Sequence, residues 1–145
     1  MSTATFTDLL RRPKEVLARI DEGQLRITRR DGDDLVILRG HDLEVLQNGT
    51  ALSSRLIRAI GRNQNNVVAA LRDLFAWTAE FSADELADYA SEIEQLVYSA
   101  SELGTYDRLL RAQQEWQETA LAYAMGKRAV ELIESPTSPV RVERP

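Results

Sequence analysis

Two groups of basic residues near the amino terminus have the side-chain types and spacing needed to bind an anion: Arg11, Arg12 and Lys14, then Arg29 and Arg30. The first group surrounds Pro13. Proline is well tolerated at the first position of a helix, so we expect one helix to end near Arg11 and a second to begin at Pro13. Backbone N–H groups at that helix start would add to the attraction for a phosphate. These residues indicate either a nucleic-acid-binding surface or a solvated basic face.

Residues for enzymatic chemistry are scarce. The chain has no cysteine, which excludes disulfides, thiolate metal sites and cysteine nucleophiles, and its one histidine is His41. His41 lies between a predicted strand and a predicted helix, and no nucleophile-elbow, phosphate-loop, dinucleotide-binding or zinc-protease motif is present. Carboxylates such as Glu92 and Glu94 fall on the charged face of an amphipathic helix. We therefore expect a protein that is not an enzyme and needs no cofactor or metal.

The net charge of −5 is unevenly distributed along the 145 residues. Residues 1–62 carry eleven basic and nine acidic side chains, a net charge of +2, whereas residues 63–145 carry seven basic and fourteen acidic ones, a net charge of −7. This asymmetry indicates two surfaces with different partners. The apolar runs are too short to span a bilayer and the amino terminus does not resemble a signal peptide, so we expect a cytoplasmic protein with no membrane contact.

The elements that must position the basic residues are short. We expect a strand near Thr3–Phe6, a helical turn from Thr7 to about Arg11 with Thr7 as its cap, and a helix from Pro13 to about Glu22. Gly23 then supplies a left-handed residue that ends this helix. The basic side chains around Pro13 would therefore lie where two helices meet.

A β-hairpin carries Arg29 and Arg30. Two β-prone runs, Leu25–Arg30 and Asp33–Arg39, flank the Asp31-Gly32 pair, a preferred two-residue turn. That turn predicts four cross-strand pairs: Arg30 with Asp33, Arg29 with Asp34, Ile27 with Val36, and Leu25 with Leu38. After the break at Gly40-His41-Asp42, a short helix begins near Leu43.

Helical patterns fill the chain from about residue 51. Leu52, Leu56, Ile57 and Ile60 form one apolar stripe, a second stripe runs from Val67 to Thr78, and Ser82–Glu85 is a capping box before the clearest amphipathic helix. The last helix is predicted from Tyr106 to about Glu134, and residues 135–145 have the composition of a disordered tail. The predicted fold is α+β, with a small domain at residues 1–48, a mainly helical region at residues 49–134 and a tail.

Residues 3–47 carry a family resemblance. The segments Thr5-Phe6-Thr7-Asp8-Leu9, Pro13-Lys14-Glu15-Val16-Leu17 and Ile27–Leu38, in this order, resemble the amino-terminal domain of the Phd/YefM (prevent-host-death) family of type II antitoxins. The resemblance implies a homodimer, formed through this domain, that binds operator DNA and represses its own operon. It also implies a carboxy-terminal segment that neutralises a co-encoded toxin by direct binding.

The resemblance also directs attention to particular residues. Contacts with DNA are expected from five side chains: Thr7, Arg11, Arg12, Lys14 and Arg30. The acidic helical region is expected to bind the cognate toxin through Leu110, Trp116 and Tyr123. Two alternatives stay open. One is a stand-alone dimeric transcriptional regulator with no toxin partner. The other is a helix-turn-helix over Leu52–Leu74 that places Arg55, Arg58, Arg62 and Arg72 on DNA.

Overall fold

A three-stranded sheet opens the computed structural model, which describes residues 1–134 without the side chains of Arg128, Ala129, Glu131 and Glu134. The strands are β1 (Ser2–Thr5), β2 (Leu25–Thr28) and β3 (Leu35–Ile37). The central strand β2 is parallel to β1 and antiparallel to β3. The fold is therefore α+β, as predicted. The tail predicted at residues 135–145 lies outside the described residues.

Two compact units make up the chain, the N-terminal unit (Met1–Asn48) and the C-terminal unit (from Gly49 onward). The N-terminal unit has a small core that consists of one residue each from β1 and the second helix and two from β2: Ala4, Val16, Leu25 and Ile27. Burial of alternate residues on β2 explains why Leu25 and Ile27 are fully covered while Arg26 between them is exposed.

Two short helices connect β1 to β2. Helix α1 (Phe6–Arg11) begins one residue earlier than predicted, because Thr5 is its cap: the Thr5 hydroxyl accepts a hydrogen bond from the Asp8 backbone N–H at 3.0 Å. Thr7, the predicted cap, instead lies inside α1 and is exposed. Helix α2 (Pro13–Ala18) begins at Pro13 as predicted and continues into a 3₁₀ turn over Arg19–Glu22.

The predicted hairpin register is wrong by one residue. Leu25 pairs with Ile37 and Ile27 with Leu35, so six residues, 29–34, connect the strands instead of a two-residue turn. Both registers bring apolar residues together, because residues 35–38 are all apolar. The ionic pair that forms is Arg26 with Asp34, at 3.1 Å. It replaces the pair predicted between Arg29 and Asp34.

A single helix, α3 (Gly40–Arg62), replaces the short helix and the separate stripe predicted on either side of Asn48. Gly49 does not interrupt it. A side chain at Gly49 would collide with Cβ and Cγ of Tyr106, so glycine is required there for close packing within the C-terminal unit.

The remaining helices belong to the C-terminal unit. Helix α4 (Val67–Leu74) ends earlier than the predicted stripe and is followed by a 3₁₀ segment at Ala76–Glu80. Helix α5 (Ala83–Leu103) begins with the predicted capping box, in which Ser82 and Glu85 each bond the other's backbone N–H. It ends at Gly104, whose φ of +69° is left-handed. Helix α6 (Asp107–Glu134) is the longest element.

Aromatic side chains form a cluster at the centre of the C-terminal unit: Phe75, Trp77, Phe81, Tyr89, Trp116 and Tyr123. Tyr89 is fully buried, and its hydroxyl donates a hydrogen bond to Gln113. Aliphatic residues from four helices complete the core, including Leu56, Leu71, Ile93 and Leu109. The apolar core of this unit is therefore formed by its own elements.

Candidate nucleic-acid interface and partner surface

The basic junction, defined as Arg11, Arg12 and Lys14, lies where α1 meets α2, and all three side chains are exposed. Arg12 is the C-cap residue of α1 and also the N-cap residue of α2, which begins at Pro13. Its guanidinium lies 3.6 Å from the Asp8 carboxylate and 3.5 Å from that of Glu15. Ion pairs this exposed contribute little to stability, so Arg12 can exchange them for a phosphate.

The start of α1 is held by Thr5 and Asp8. The pKa of Asp8 is lowered, chiefly by a side-chain hydrogen bond with Thr5 and further by the charge of Arg12. Asp8 therefore stays ionised beside the basic junction over the physiological range, and it partly neutralises Arg12. Arg11 and Lys14 have no carboxylate within 4.0 Å among the described residues.

A separate cleft in the N-terminal unit, about 770 Å³ in volume, joins two of the predicted DNA-binding residues. Thr7 and Arg30 both line it, together with Thr5, Phe6, Thr28, Arg29 and Asp31. Arg29 folds back onto its own loop, where Nε donates to the Asp33 carbonyl oxygen at 2.8 Å. Arg30 is exposed. The structure thus brings Thr7 and Arg30 together at this cleft, whereas the basic junction does not line it.

The charge balance of the two units differs from that of the halves of the sequence. The N-terminal unit contains eight basic and nine acidic residues, a net charge of −1. The positive charge of residues 1–62 therefore comes from the three arginines that follow Gly49, namely Arg55, Arg58 and Arg62. The N-terminal unit as a whole is not basic, and any attraction for DNA depends on where its arginines lie.

The three predicted toxin-binding residues on α6 differ in exposure. Trp116 is partly buried within the aromatic cluster, with its ring 5.5 Å from that of Phe81, and its indole Nε1 donates to Glu92 at 2.9 Å. Leu110 is also partly buried. Tyr123 is 40% exposed. Only Tyr123 presents a large part of its surface to solvent.

A hydrogen bond from the Tyr123 hydroxyl to Glu85 ties α6 to the start of α5. This bond lowers the pKa of Glu85, with further lowering from Ser82, and it raises the pKa of Tyr123. Lys127, one turn further along α6, forms an ion pair with Glu80 at 2.9 Å. The polar side of α6 is therefore fixed against its own unit.

The exposed apolar residues of α6 lie elsewhere, and sequence reasoning missed them. They occupy the carboxy-terminal half of the helix, where Leu121, Met125, Leu132 and Ile133 are 59% to 83% exposed. The steps of four and seven residues from Leu121 to Met125 and Leu132 were a signal for this second stripe. The sequence shows apolar residues on two faces of α6, and only one face packs within the unit.

The helix-turn-helix alternative lacks a suitable recognition helix. Residues 63–66 do form a short turn between α3 and α4. Of the residues of α4, however, Val67, Ala70 and Leu71 are buried, and only Arg72 and Asp73 are exposed. A recognition helix must project several side chains into the major groove, which α4 cannot do.

No protein-family model matches this chain, and neither a curated protein nor a solved structure matches it. Within residues 1–134, no helix has both the length and the apolar character needed to cross a membrane. In the same range, no group of three or more potential metal-ligating side chains comes together. The structure itself therefore supplies the description of this chain: it is an α+β protein of two compact units. Each unit has exposed basic side chains.

Proposed function

We propose that this chain is an antitoxin and autorepressor of the prevent-host-death type. In this proposal the N-terminal unit binds operator DNA as a homodimer, and the C-terminal unit neutralises a co-encoded toxin. The observation that carries the proposal is the order of elements in residues 2–62, a strand, two short helices, a hairpin and a helix, with the exposed basic junction between the two short helices.

The DNA-binding part of the proposal rests on two properties of the basic junction. Its side chains are exposed, and the ion pairs that they form are weak enough to be exchanged for a phosphate. Arg11 and Lys14 are exposed and unpaired among the described residues, and Arg12 has only weak, exposed partners. Arginine and lysine at such a position bind phosphates, and one arginine in the major groove would read a guanine. Thr7 and Arg30, which share a cleft, supply a second group of contacts in the same unit.

Homodimer formation is supported by the incomplete core of the N-terminal unit. Four residues are fully covered, while several large apolar side chains are 41% to 68% exposed: Phe6, Leu10, Leu17, Leu35 and Val36. A unit of 48 residues buries so small a share of its surface on folding that it is only marginally stable alone. Pairing two copies would cover part of this surface.

Toxin binding is supported by the exposed half of α6. Leu121 and Met125 are exposed one turn apart on one side of α6, and the 40% exposed Tyr123 lies on the opposite side, because a step of two residues turns the helix by about 200°. Trp116 and Leu110 would contribute by packing α6 within its unit, which holds the exposed stripe in a helical conformation. The acidic charge of residues 76–134, twelve acidic against four basic side chains, complements a basic toxin.

A stand-alone transcriptional regulator is the second candidate. The observation that favours it is the self-contained aromatic core of the C-terminal unit, which needs no partner to cover Trp116 or Tyr89. The two candidates differ in one respect, the presence of a small neighbouring reading frame whose product forms a complex with this chain.

The DNA-binding arm is tested with a duplex that covers the region upstream of the protein's own reading frame. The variant R11Q/R12Q should bind more weakly, and the slope of log K against log salt should become shallower by about 1.8, because about 0.9 is lost for each phosphate contact. The matched control is R108Q/R111Q, which removes the same charge from exposed positions on α6. An unchanged slope for R11Q/R12Q would remove the basic junction from the proposal.

A further inference from the structure

A row of three arginines on α3 stands apart from the residues of the proposed operator contacts. Arg55, Arg58 and Arg62 follow one another at steps of three and four, and all three are exposed. At about 100° per residue they fall within an arc of roughly 60° on the helix. The buried residues of this part of α3, Leu52, Leu56, Ala59 and Ile60, occupy a different face. We call these three side chains the α3 arginine row.

The sequence around the row contains no opposing charge. From Val45 to Arg72 there are four arginines and not one aspartate or glutamate. Within the part of the chain that the structure describes, none of the three arginines has a carboxylate within 4.0 Å. Asp73 is the first carboxylate after this stretch, and it accepts a hydrogen bond from Asn63 at 3.0 Å. The row therefore keeps its full positive charge.

Neutral contacts order two of the three side chains. Arg58 donates to the Ser54 hydroxyl at 3.2 Å, one turn earlier on the same helix. The Arg55 guanidinium lies over the Phe75 ring, 5.5 Å from its centre. Such contacts restrict the side chains without neutralising them, which reduces the entropy lost when an anion binds. Gly61 adds no obstruction, because a methyl group placed there would meet nothing within 4 Å.

The surroundings of the row fit a nucleic-acid backbone better than a protein. Protein interfaces have an apolar centre depleted of charge, whereas DNA interfaces are polar and strongly positive. Between Gln47 and Leu74, Ile57 is the one large apolar residue with substantial exposure in the described structure, at 40%. The neighbours of the row are small or carry amides, such as Ala51, Ser54 and the Asn63–Asn66 turn.

The row also fits a duplex better than a single strand. Single-strand binding depends on exposed aromatic rings that stack with bases. Phe75, the aromatic residue beside the row, is partly buried and already covered by Arg55. The seven helical steps from Arg55 to Arg62 rise about 10.5 Å along the helix axis. This is comparable with three phosphate-to-phosphate intervals of one DNA strand, at about 3.4 Å each along the duplex axis.

We infer that the α3 arginine row is a second DNA-contacting surface, which binds phosphates of duplex DNA without reading their sequence. It belongs to the C-terminal unit, so DNA binding is not confined to the N-terminal unit. The inference rests on the proposed function only in taking duplex DNA as the ligand. It does not depend on the toxin, on the operator sequence or on the basic junction.

The test uses the full chain and a fluorescent 30-bp duplex of random sequence, titrated at several salt concentrations. R58Q/R62Q leaves Arg55 on Phe75 and removes two charges from exposed positions. For this variant, the slope of log K against log salt concentration should be shallower than the wild-type slope by about 1.8, because about 0.9 is lost for each phosphate contact. R58K/R62K should keep the wild-type slope, because phosphate contacts need charge more than guanidinium geometry. R108Q/R111Q, with the same change in net charge, should also keep it.

The outcomes separate this inference from the proposed operator contacts. A reduced slope for R58Q/R62Q alone supports the row, even if R11Q/R12Q binds like wild type and the proposed operator surface fails. An unchanged slope for R58Q/R62Q overturns the inference, even if R11Q/R12Q loses binding. An equal reduction in R58Q/R62Q and R108Q/R111Q also overturns it, because net charge would then explain the effect. Unchanged circular dichroism and melting temperature verify that each variant is folded.

Discussion

The two units of this protein differ in the size of the core that each one buries. The N-terminal unit buries four apolar residues, whereas the described part of the C-terminal unit buries seventeen, including Tyr89 and Ile93. Both units leave large apolar side chains exposed, such as Leu10 at 68% and Leu132 at 73%.

Individual basic residues differ as well. Arg12 in the N-terminal unit lies near the carboxylates of Asp8 and Glu15, whereas no arginine of the α3 arginine row has a carboxylate within 4.0 Å among the described residues. Within the described part of the chain, the unit with the larger core thus carries a continuous row of arginines that form no ion pairs, while in the N-terminal unit paired Arg12 lies between unpaired Arg11 and Lys14.

This contrast corrects the reading of charge along the sequence. The positive balance of residues 1–62 suggested a basic DNA-binding domain, but the N-terminal unit itself has a net charge of −1. The positive charge comes from Arg55, Arg58 and Arg62, which lie in the part of α3 that belongs to the C-terminal unit. Charge summed over a segment therefore indicates a partner only after the boundaries of the units are known.

The largest effect is expected in the core of the C-terminal unit. Ile93 is fully buried, so Ile93→Ala should lower the free energy of unfolding by about 2–5 kcal/mol through lost burial and a residual cavity. Urea unfolding followed by circular dichroism measures this change. Ile57→Ala, at a 40% exposed position of α3, is the control and should cost far less. Equal losses in both variants would break the contrast between the covered core and the exposed surface.

Gly49 should show the next largest effect. Ala is usually better than Gly inside a helix by about 1 kcal/mol, but at Gly49 the added methyl group would collide with Tyr106. Gly49→Ala should therefore destabilise by about 1–3 kcal/mol. Gly61→Ala, in the same helix with open space around it, should stabilise by about 0.5–1 kcal/mol. If thermal melting showed that both variants change the stability in the same direction, the close packing of Gly49 against Tyr106 would be contradicted.

A smaller effect is expected from the helix cap of the N-terminal unit. Thr5→Ala removes the hydroxyl that accepts the Asp8 N–H and should cost about 0.5–2 kcal/mol. Thr7 lies two residues further along, inside α1, and it is exposed. Thr7→Ala should therefore be close to neutral in stability. Chemical unfolding of both variants distinguishes the observed cap from the predicted one, and a larger loss for Thr7→Ala would reverse that assignment.

The smallest effect is a change in acid sensitivity at the start of α5. The folded-state pKa of Glu85 lies below its ordinary value, so its stabilising contribution is complete above the unfolded-state pKa and is lost as pH falls through the folded value. Glu85→Gln should keep the cap and flatten the decline in unfolding free energy between pH 7 and pH 3. Tyr123→Phe should act in the same direction, because the Tyr123 hydroxyl is the first cause of the shift.

The control for acid sensitivity is Asp84→Asn, which removes the neighbouring carboxylate of the same helical turn. It should flatten the pH dependence less than Glu85→Gln does. If Asp84→Asn had the larger effect, the hydrogen bonds from Tyr123 and Ser82 would not be what sets the acid response of this turn.

Local rules predicted the elements whose signals lie close together in sequence. The Ser82–Glu85 capping box and the start of α2 at Pro13 both follow from a few adjacent residues, and both are confirmed. The hairpin register could not be predicted in this way. Because residues 35–38 are all apolar, the apolar pattern was compatible with two registers and could not choose between them; the register observed brings Arg26 within 3.1 Å of Asp34.

The candidate sites show the same limit. The exposed basic junction was predictable from Arg11, Arg12 and Lys14 around Pro13. The sequence could not show that Trp116 packs inside its own unit, because a tryptophan on an apolar stripe suits a core and a partner surface equally well. The boundary predicted at residue 48 did place the α3 arginine row in the helical region, but the charge balance was summed over residues 1–62 and therefore crossed this boundary.

The antitoxin proposal predicts a small reading frame next to that of this chain, and growth of cells that express such a reading frame tests the proposal most directly. Expression of that reading frame alone should arrest growth, and co-expression of this full chain at a comparable level should restore it, with the two products recovered as one complex. A variant with Leu121 and Met125 both replaced by Ser should rescue less well, since these exposed residues are the proposed contact. Arrest that persists with the full chain present, or a neighbouring product that is harmless, would contradict the proposal.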